Sequence, residues 1–154
     1  MTSTADLYDE LGESVQSLAL QLLDLGGRVA FEGPIRTVKC FEDNALIKSV
    51  LSTPGEGAVL VVDGAGSMRS ALMGDLIAQS AVDNGWSGIV INGPVRDRAA
   101  LARMPFGVKA LGSNPRKSAK LGTGVADEIV EIAGVVFRPG ARLWADEDGI
   151  LVER

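Results

Sequence analysis

Ala58-Val59-Leu60-Val61-Val62-Asp63 is a near-continuous apolar run, bounded by Pro54-Gly55-Glu56-Gly57 before it and Gly64-Ala65-Gly66 after it. A strand of that composition has no polar face to give to water, so it must be covered on both sides, as strands of parallel sheets are. Gly88-Ile89-Val90-Ile91-Asn92 repeats the pattern and ends at Gly93-Pro94. Between the two runs, Gly74-Asp75 supplies a helix start, Leu76, Ile77, Ser80 and Ala81 follow helical spacing, and Asn84-Gly85 supplies a stop. Strand, helix and strand make a βαβ unit.

Lengths then place side chains. A helix of about ten residues climbs roughly 15 Å, and a strand of five or six residues returns roughly 17–20 Å. Asp75 and Arg96-Asp97 therefore fall at one edge, beyond the carboxyl ends of the strands, where open α/β sheets collect ligands; Asp63 ends its strand there too. Two carboxylates and a guanidinium beside a helix N-terminus can seat a divalent cation and an anionic substrate. Taken singly, Asp75 also reads as an N-cap and Arg96-Asp97 as a solvated helix start. Their joint placement favours a site.

The rest of the chain reads as follows. A short amphipathic helix spans Ala5 to Leu11, capped by Thr4. Strands over Arg28–Phe31 and Ile35–Phe41 join at Gly33-Pro34, and Glu42-Asp43-Asn44 opens a helix to about Leu51. After Asp97 come a helix over Arg98–Met104, a strand over Val108–Leu111 and a basic loop from Ser113 to Lys120. That loop is either a solvated surface or an aid in drawing an anion toward the site. Strands over Val125–Ile132, Val135–Phe137, Ala141–Ala145 and Ile150–Glu153 complete a β-rich C-terminal half. We expect one α/β domain over residues 1–154 with a mixed sheet.

Composition narrows the function. The chain has no histidine, which excludes His-based nucleophile triads and the usual His-rich zinc sites. A net charge of −5 argues against direct nucleic-acid binding through a basic face, and leaves room for a partner with basic segments. The lone cysteine, Cys40, reads as a small core hydrophobe. Met1 to Asp9 is polar and acidic, and no apolar run approaches membrane-spanning length, so a cytoplasmic protein without membrane contact is expected. Gly64-Ala65-Gly66-Ser67 invites a nucleotide-loop reading, but it lacks the third glycine of a dinucleotide fingerprint and the Lys-Ser/Thr of a P-loop. A tight loop shaping the pocket mouth is expected instead, so the sequence gives little support to a methyltransferase role.

Asp75, twenty intervening residues and Arg96-Asp97, within a Gly-Asp-Leu-Ile…Gly-Trp…Gly-Ile-Val-Ile-Asn-Gly…Val-Arg-Asp frame, resemble the RraA-like family. So do Phe31-Glu32-Gly33-Pro34-Ile35, Thr37 to Asn44, Val61-Val62-Asp63-Gly64 and Trp144 to Val152. That family contains class II 4-hydroxy-4-methyl-2-oxoglutarate aldolases and regulators of ribonuclease E activity. The resemblance implies a swivelling β/β/α architecture, assembled as a homotrimer with sites at subunit interfaces. It also implies that Asp97 holds a Mg²⁺ or Mn²⁺ ion otherwise largely hydrated. Arg96 would hold the substrate carboxylate or 2-oxo oxygen and stabilise an enolate. Gly74, Asp75, Leu76 and Ile77 would offer backbone N–H groups to the substrate carboxylate. Asp75 would orient a water on the ion or serve, through that water, as the base for the substrate hydroxyl. The sequence departs from the family at Ala100, where an acidic residue is common. Some aldolases of the family also take an acidic residue from a neighbouring subunit's C-terminal region, whereas this chain closes at Leu151-Val152-Glu153-Arg154.

Retro-aldol chemistry needs either a Schiff-base lysine or a Lewis-acid metal to stabilise the enolate. Lys39 and Lys109, both in strand-like runs, are candidates for the first route; the carboxylate–arginine cluster suits the second. Two functions compete. One is a metal-dependent aldolase cleaving 4-hydroxy-4-methyl-2-oxoglutarate to pyruvate, with oxaloacetate decarboxylation as a side activity on the same small 2-oxo acid site. The other is a non-catalytic protein that binds and restrains an endoribonuclease of the ribonuclease E type. A pure binding module has no chemical need for Asp75 and Asp97 together with Arg96.

Overall fold

The computed structural model describes all of residues 1–154. Its elements run α1 (Thr4–Leu11), a 3-10 turn (Gly12–Ser14), β1 (Val15–Ser17), β2 (Leu23–Asp24), β3 (Phe31–Lys39), α2 (Ala45–Leu51), β4 (Val59–Asp63), α3 (Asp75–Asp83) and β5 (Gly88–Val95). They continue through α4 (Arg98–Leu101), β6 (Gly107–Ser113), β7 (Val125–Ala126), β8 (Val130–Ile132), β9 (Val135–Phe137), β10 (Arg142–Asp146) and β11 (Gly149–Glu153). The main sheet is ordered β1-β11-β10-β3-β4-β5-β6-β2, with β7 attached to β3, and β8 and β9 form a separate hairpin. Strands β3 to β6 are parallel and the other pairings are antiparallel, so the sheet is mixed.

The apolar runs of β4 and β5 explain the layering. Alternate residues Leu60, Val62, Ile89 and Ile91 face one core, which they share with Ile47, Val50 and Leu51 of α2 and Ile77, Ala78 and Ala81 of α3. Val59, Val61 and Val90 face a second core built with Val130, Ile132, Val135, Phe137, Leu143, Ala145, Ile150 and Val152. The parallel strands are thus sandwiched between the helices and a β layer made by the sheet's own β10–β11 arm with the β8–β9 hairpin, an α/β fold of β/β/α form. Each of the buried Val, Leu, Ile and Phe side chains contributes roughly 1.5–3 kcal/mol.

Several boundaries differ from the sequence reading. Arg28–Phe31 and Ile35–Phe41 are not two strands joined at Gly33-Pro34; β3 is continuous through that pair. Its first half pairs antiparallel with β10 and its second half parallel with β4, so Pro34 falls at the change of partner. Likewise β5 does not stop at Gly93-Pro94. Its register against β6 shifts between Ile91 and Pro94, which absorbs the proline and carries the strand to Val95. The stretch Val125–Ile132 is two strands, because Asp127 adopts φ 60° between β7, which pairs with β3, and β8, which pairs with β9. The helices α2 and α4 are shorter than expected, and β1 and β2 are too short to leave an apolar pattern.

Thr4 does not cap α1. Ser3 does, accepting the Asp6 N–H at 3.1 Å. Thr4 is buried instead, donating from its N–H and Oγ1 to Asp146 at 2.8 and 2.6 Å and tying α1 to the end of β10. Cys40 is buried as expected, and burial, with Asp43 and Asp63 nearby, pushes its thiol up to about 12, so it stays a protonated core side chain.

Helix α2 begins after Asn44 and not at Glu42, because Glu42 takes φ 54° and Asp43 is used as a tie. The buried Asp43 carboxylate accepts the N–H groups of Ala45, Leu121, Gly122 and Thr123 at 3.1, 2.9, 3.2 and 3.4 Å, and Thr123 Oγ1 at 3.1 Å. Burial pushes this carboxyl up, but the four N–H donors together outweigh it and hold it below its ordinary value. A depressed carboxyl stabilises the fold above its unfolded pKa of about 3.9, and that stability drains as pH falls through the lower folded value. Asp43→Ala should therefore cost about 3 kcal/mol at neutral pH by leaving buried donors unpaired. The deficit should shrink below about pH 4. Denaturant titrations of both proteins at pH 7 and pH 3 check this.

Candidate functional site

The C-terminal edge of β4 and β5 opens into a cavity of about 260 Å³. Its lining includes Gly74, Asp75, Leu76 and Ile77 at the start of α3, and Arg96 and Asp97 just past β5. The six residues that the carboxylate–arginine reading singled out, Gly74 to Ile77 with Arg96 and Asp97, are thus brought together. Two backbone bonds fasten the segment leading into α3 to the exit of β5 beneath them: Leu72 N–H to Pro94 O at 2.9 Å and Arg96 N–H to Met73 O at 2.9 Å. The extra residues of β5 beyond Asn92 are what carry Arg96 and Asp97 up to the helix start.

Asp97 occupies the N-cap position of α4 with φ 62° and ψ 42°, a left-handed conformation, and makes no side-chain cap bond there. That turn costs a non-glycine residue roughly 1–2 kcal/mol, least for Asp and Asn. It aims the carboxylate at the start of the preceding helix, α3, instead. Asp97 Oδ2 accepts the Asp75 N–H at 3.0 Å, using part of the positive end of α3. Gly74 makes room: a Cβ there would lie 2.6 Å from Asp97 Oδ2 and 3.3 Å from Arg96 Cγ, so any side chain would push the carboxylate off its donor.

This arrangement refines the expected role of the helix start. The Asp75 N–H already serves Asp97, and the Ala78 N–H reaches back to Gly74 O at 3.1 Å as the first bond of the α3 ladder. The N–H groups of Leu76 and Ile77 precede that ladder and sit on residues lining the cavity. They are the first-turn donors left for an anion.

Other expectations resolve differently. Asp63 ends β4 at the same edge, but its carboxylate accepts the Ala65 N–H at 2.9 Å and is not part of the lining. Lys39 is exposed at the end of β3 and does not line the cavity. Lys109 is buried on the opposite face of the sheet, because Val108 and Ala110 turn toward the helices and Lys109 away from them. Its Nζ pairs with Asp24 at 2.9 Å and donates to Asp146 O at 2.6 Å. Neither lysine stands where a Schiff base could meet Arg96. The Gly64-Ala65-Gly66 turn is packed, with Gly66 N–H on Asn92 O at 3.1 Å and Gly64 pressed so close that a Cβ would lie 2.6 Å from Leu72 Cδ1. Close packing at Gly64 and a positive φ of 74° at Gly66 account for its glycines.

The basic loop is the largest surprise. Residues 116–123 are a fixed wall of the cavity. Ala71 N–H donates to Arg116 O at 2.7 Å, Asn44 N–H to Ala119 O at 3.0 Å, and buried Ser118 Oγ to Ala71 O at 2.7 Å. This places Lys117 and Lys120 in the lining, with Lys120 Nζ on Asn44 Oδ1 at 3.1 Å. On the other wall, Asn44, Lys48 and Ser52 line the cavity at spacings of four, one face of α2. No periodicity in 113–120 announces this wall; the only signal was its charge.

The lining thus carries Lys48, Arg96, Lys117 and Lys120 against Asp75 and Asp97, and none of the four cations is in an ion pair. A cavity of net positive charge in an acidic protein favours an anionic ligand. For a metal ion, the lining offers hard oxygen donors in Asp97 Oδ1 and Asp75, and no group of three or more His, Cys, Asp or Glu. One or two carboxylates with the remaining positions left to water and substrate suit Mg²⁺ or Mn²⁺.

Residues 4–152 match the family RraA-like: Aldolase/RraA. A Geobacillus kaustophilus HTA426 protein described as S-adenosylmethionine:2-dimethylmenaquinone methyltransferase is 46% identical, with a TM-score of 0.97 over 99% of this chain and 94% of its own. The RNA-processing inhibitor RraA from Thermus thermophilis is 44% identical, with a TM-score of 0.96 over 99% and 93%. Streptomyces coelicolor RraAS2, an unusual member of the RNase ES inhibitor RraA family, is 26% identical, with a TM-score of 0.81 over 99% and 81%. No helix is long and apolar enough to cross a membrane. With the family match over nearly the whole chain and the fold of its relatives in agreement, the chain belongs to the RraA-like family.

Proposed function

We propose that this protein is a class II aldolase that cleaves 4-hydroxy-4-methyl-2-oxoglutarate to two pyruvates and decarboxylates oxaloacetate through the same enolate. The observation that carries this reading is Asp97, held by the Asp75 N–H in a left-handed turn beside Arg96 on the rim of a cationic cavity.

Both reactions break a carbon–carbon bond and leave its electron pair as the enolate of pyruvate. Arg96 would grip the 2-oxo acid end, bidentate where the carboxylate allows, and oppose the charge that develops on the 2-oxo oxygen. The Leu76 and Ile77 N–H groups would receive the same carboxylate. In the aldol cleavage Asp75 would take the substrate hydroxyl proton, directly or through a water, and a proton would then return to the methylene carbon. Asp97 would hold the divalent ion, which when bound supplies Lewis-acid polarisation of the 2-oxo group.

A second reading, restraint of an endoribonuclease, is favoured by the 44% identity to the Thermus RNA-processing inhibitor. One assay separates them. Pyruvate should be released from both substrates with Mg²⁺ or Mn²⁺, cease with a chelator and resume when metal is restored. No release from either substrate under those conditions would move the assignment to ribonuclease restraint, measured as slowed RNA cleavage by a purified endoribonuclease.

Because Asp97 also caps α3, Asp97→Ala would mix stability with chemistry. Asp97→Asn keeps the acceptor and tolerates the turn but removes the charge. It should lower kcat at least about a hundredfold while the protein stays folded, and Arg96→Lys should cost a similar factor by losing the planar fork. Near-normal turnover in either variant removes that residue from the mechanism.

Leu76 in the lining and Leu121 next to the lining residue Lys120, each 82% exposed, give the cavity apolar shoulders that a neighbouring subunit would cover. We expect a homotrimer with the site at the subunit interface, since an enolate is protected best where water is excluded. Light scattering on the active enzyme, with activity followed on dilution, checks it; a fully active monomer would sink the shared site.

A further inference from the structure

We propose that Asn114 is a positioning residue for Arg96: it presents the Pro115 carbonyl to the guanidinium and so fixes the direction in which Arg96 meets a ligand. The kinetic part of this inference rests on the aldolase reading above; the binding part does not.

Arg96 is exposed and lines two cavities. Besides the edge cavity it borders, with Asp97, a second one of about 310 Å³, completed by Arg98, Ser113, Asn114 and Pro115 and holding no large apolar side chain. A long side chain open to two cavities has no packing to fix its head, and ordering an arginine costs much rotamer freedom. Two contacts supply the direction instead. The stem passes close over Gly74, where a Cβ would lie 3.3 Å from Arg96 Cγ and 3.4 Å from Nε. The head donates from Nη1 to Pro115 O at 3.4 Å. That is the one hydrogen bond this side chain makes within the protein, so its other N–H groups stay free for an anion.

The Pro115 carbonyl is in turn held by its neighbour. Asn114 N–H donates to Val95 O at 3.0 Å, which keeps the turn beside the exit of β5. Asn114 Nδ2 donates to Met68 O at 2.8 Å, and Oδ1 accepts the Arg116 N–H at 3.0 Å. One side-chain amide thus spans the residue whose carbonyl Arg96 uses. An amide carries its donor and acceptor on separate atoms, and asparagine's is short enough to bond the backbone two residues on. Pro115 adds stiffness, since its ring fixes its own φ and disfavours the helical region at Asn114. Beyond it, Arg116 O accepts the Ala71 N–H at 2.7 Å, so the turn is tied on both sides of Pro115.

Aim matters because of when charge appears. A guanidinium slightly off its direction still attracts a carboxylate, as Coulomb energy falls slowly with distance. Opposing the charge that forms on the 2-oxo oxygen needs short, well-aligned N–H bonds, and these are lost first. Removing the Asn114 side chain should therefore lower kcat more than it raises KM.

The test is a double-mutant cycle on the full-length protein with Asn114→Ala, Arg96→Lys and both, each checked by thermal melting. Oxaloacetate turnover is measured with Mg²⁺. Calorimetry with Mg²⁺ compares oxalate, a planar dianion shaped like the pyruvate enolate, with pyruvate. Asn114→Ala should lower kcat about tenfold with KM within about threefold, and weaken oxalate about tenfold with pyruvate within about threefold. In the Arg96→Lys background the same change should shift kcat and oxalate affinity less than about twofold, because a flexible ammonium takes no direction from Pro115. Equal losses in both backgrounds, or unaltered kcat and oxalate affinity in Asn114→Ala, overturn the positioning role. If Asn114→Ala melts without a cooperative transition, Asn114→Asp, which keeps the bond to Arg116 and loses the tie to Met68, takes its place with the same outcomes. Absence of pyruvate release by the parent, with oxalate binding present and coupled between the two positions, overturns the aldolase reading and leaves the positioning role standing. No oxalate binding by the parent overturns the positioning role whatever the turnover.

Discussion

Strands β4 and β5 are buried on both faces, and the rest of the molecule follows from covering them. Helices α2 and α3 close one side; the β8–β9 hairpin with β10 and β11 closes the other. Two covers of different kinds demand a strand that belongs to both, and β3 is that strand, antiparallel to β10 for its first residues and parallel to β4 for its last. The parallel order in turn aligns the carboxyl ends of β3, β4 and β5 along one edge. Loops leaving that edge have nowhere to go but over the ends of the strands, and the cavity is formed among them.

Within that edge, position is set by backbone more than by side-chain packing. The entry to α3 and the exit of β5 are stitched together by Leu72 and Arg96 N–H groups, and Asp97 is turned toward α3 by its own left-handed conformation, which a short polar side chain tolerates best among non-glycine residues. Gly74 is the counterpart, leaving the space that the Asp97 carboxylate fills. The carboxylate is therefore fixed before any ligand arrives, with one oxygen on a helix amide and the other free. Such preorganisation is what a charged transition state uses, because no dipole has to be reoriented during reaction.

The opposite wall depends on Asp43. A buried carboxylate that gathers four N–H groups converts residues 119–123 from a loose loop into a rigid support for Lys120, and the same backbone run holds Lys117 against Ala71. Charges that would contribute little on a free loop are given a direction. Two kinds of partner could use this face: a small dianion inside the cavity, or the apolar shoulders of Leu76 and Leu121 meeting another protein surface. Both uses are compatible with one fold, since the cavity lies within and the shoulders stand at its rim.

The sequence by itself determined the βαβ unit and hence the meeting of Asp75 with Arg96 and Asp97. Double-sided burial and the helix stop signals are local patterns, and chain geometry converts them into distance. It also determined Cys40 as a core residue and the absence of any histidine-based chemistry. Tertiary structure alone decided three things. It ran β3 and β5 through Gly33-Pro34 and Gly93-Pro94, because a change of strand partner and a register shift absorbed prolines that local rules read as stops. It sent Thr4 to Asp146 instead of to the α1 cap, and Lys109 to Asp24 instead of to the site, because those partners are far away in the chain. And it made a wall of residues 116–123, whose order comes from bonds to Ala71, Asp43 and Asn44. Local sequence encodes what a segment prefers, but which groups satisfy its polar atoms is settled only when distant segments arrive.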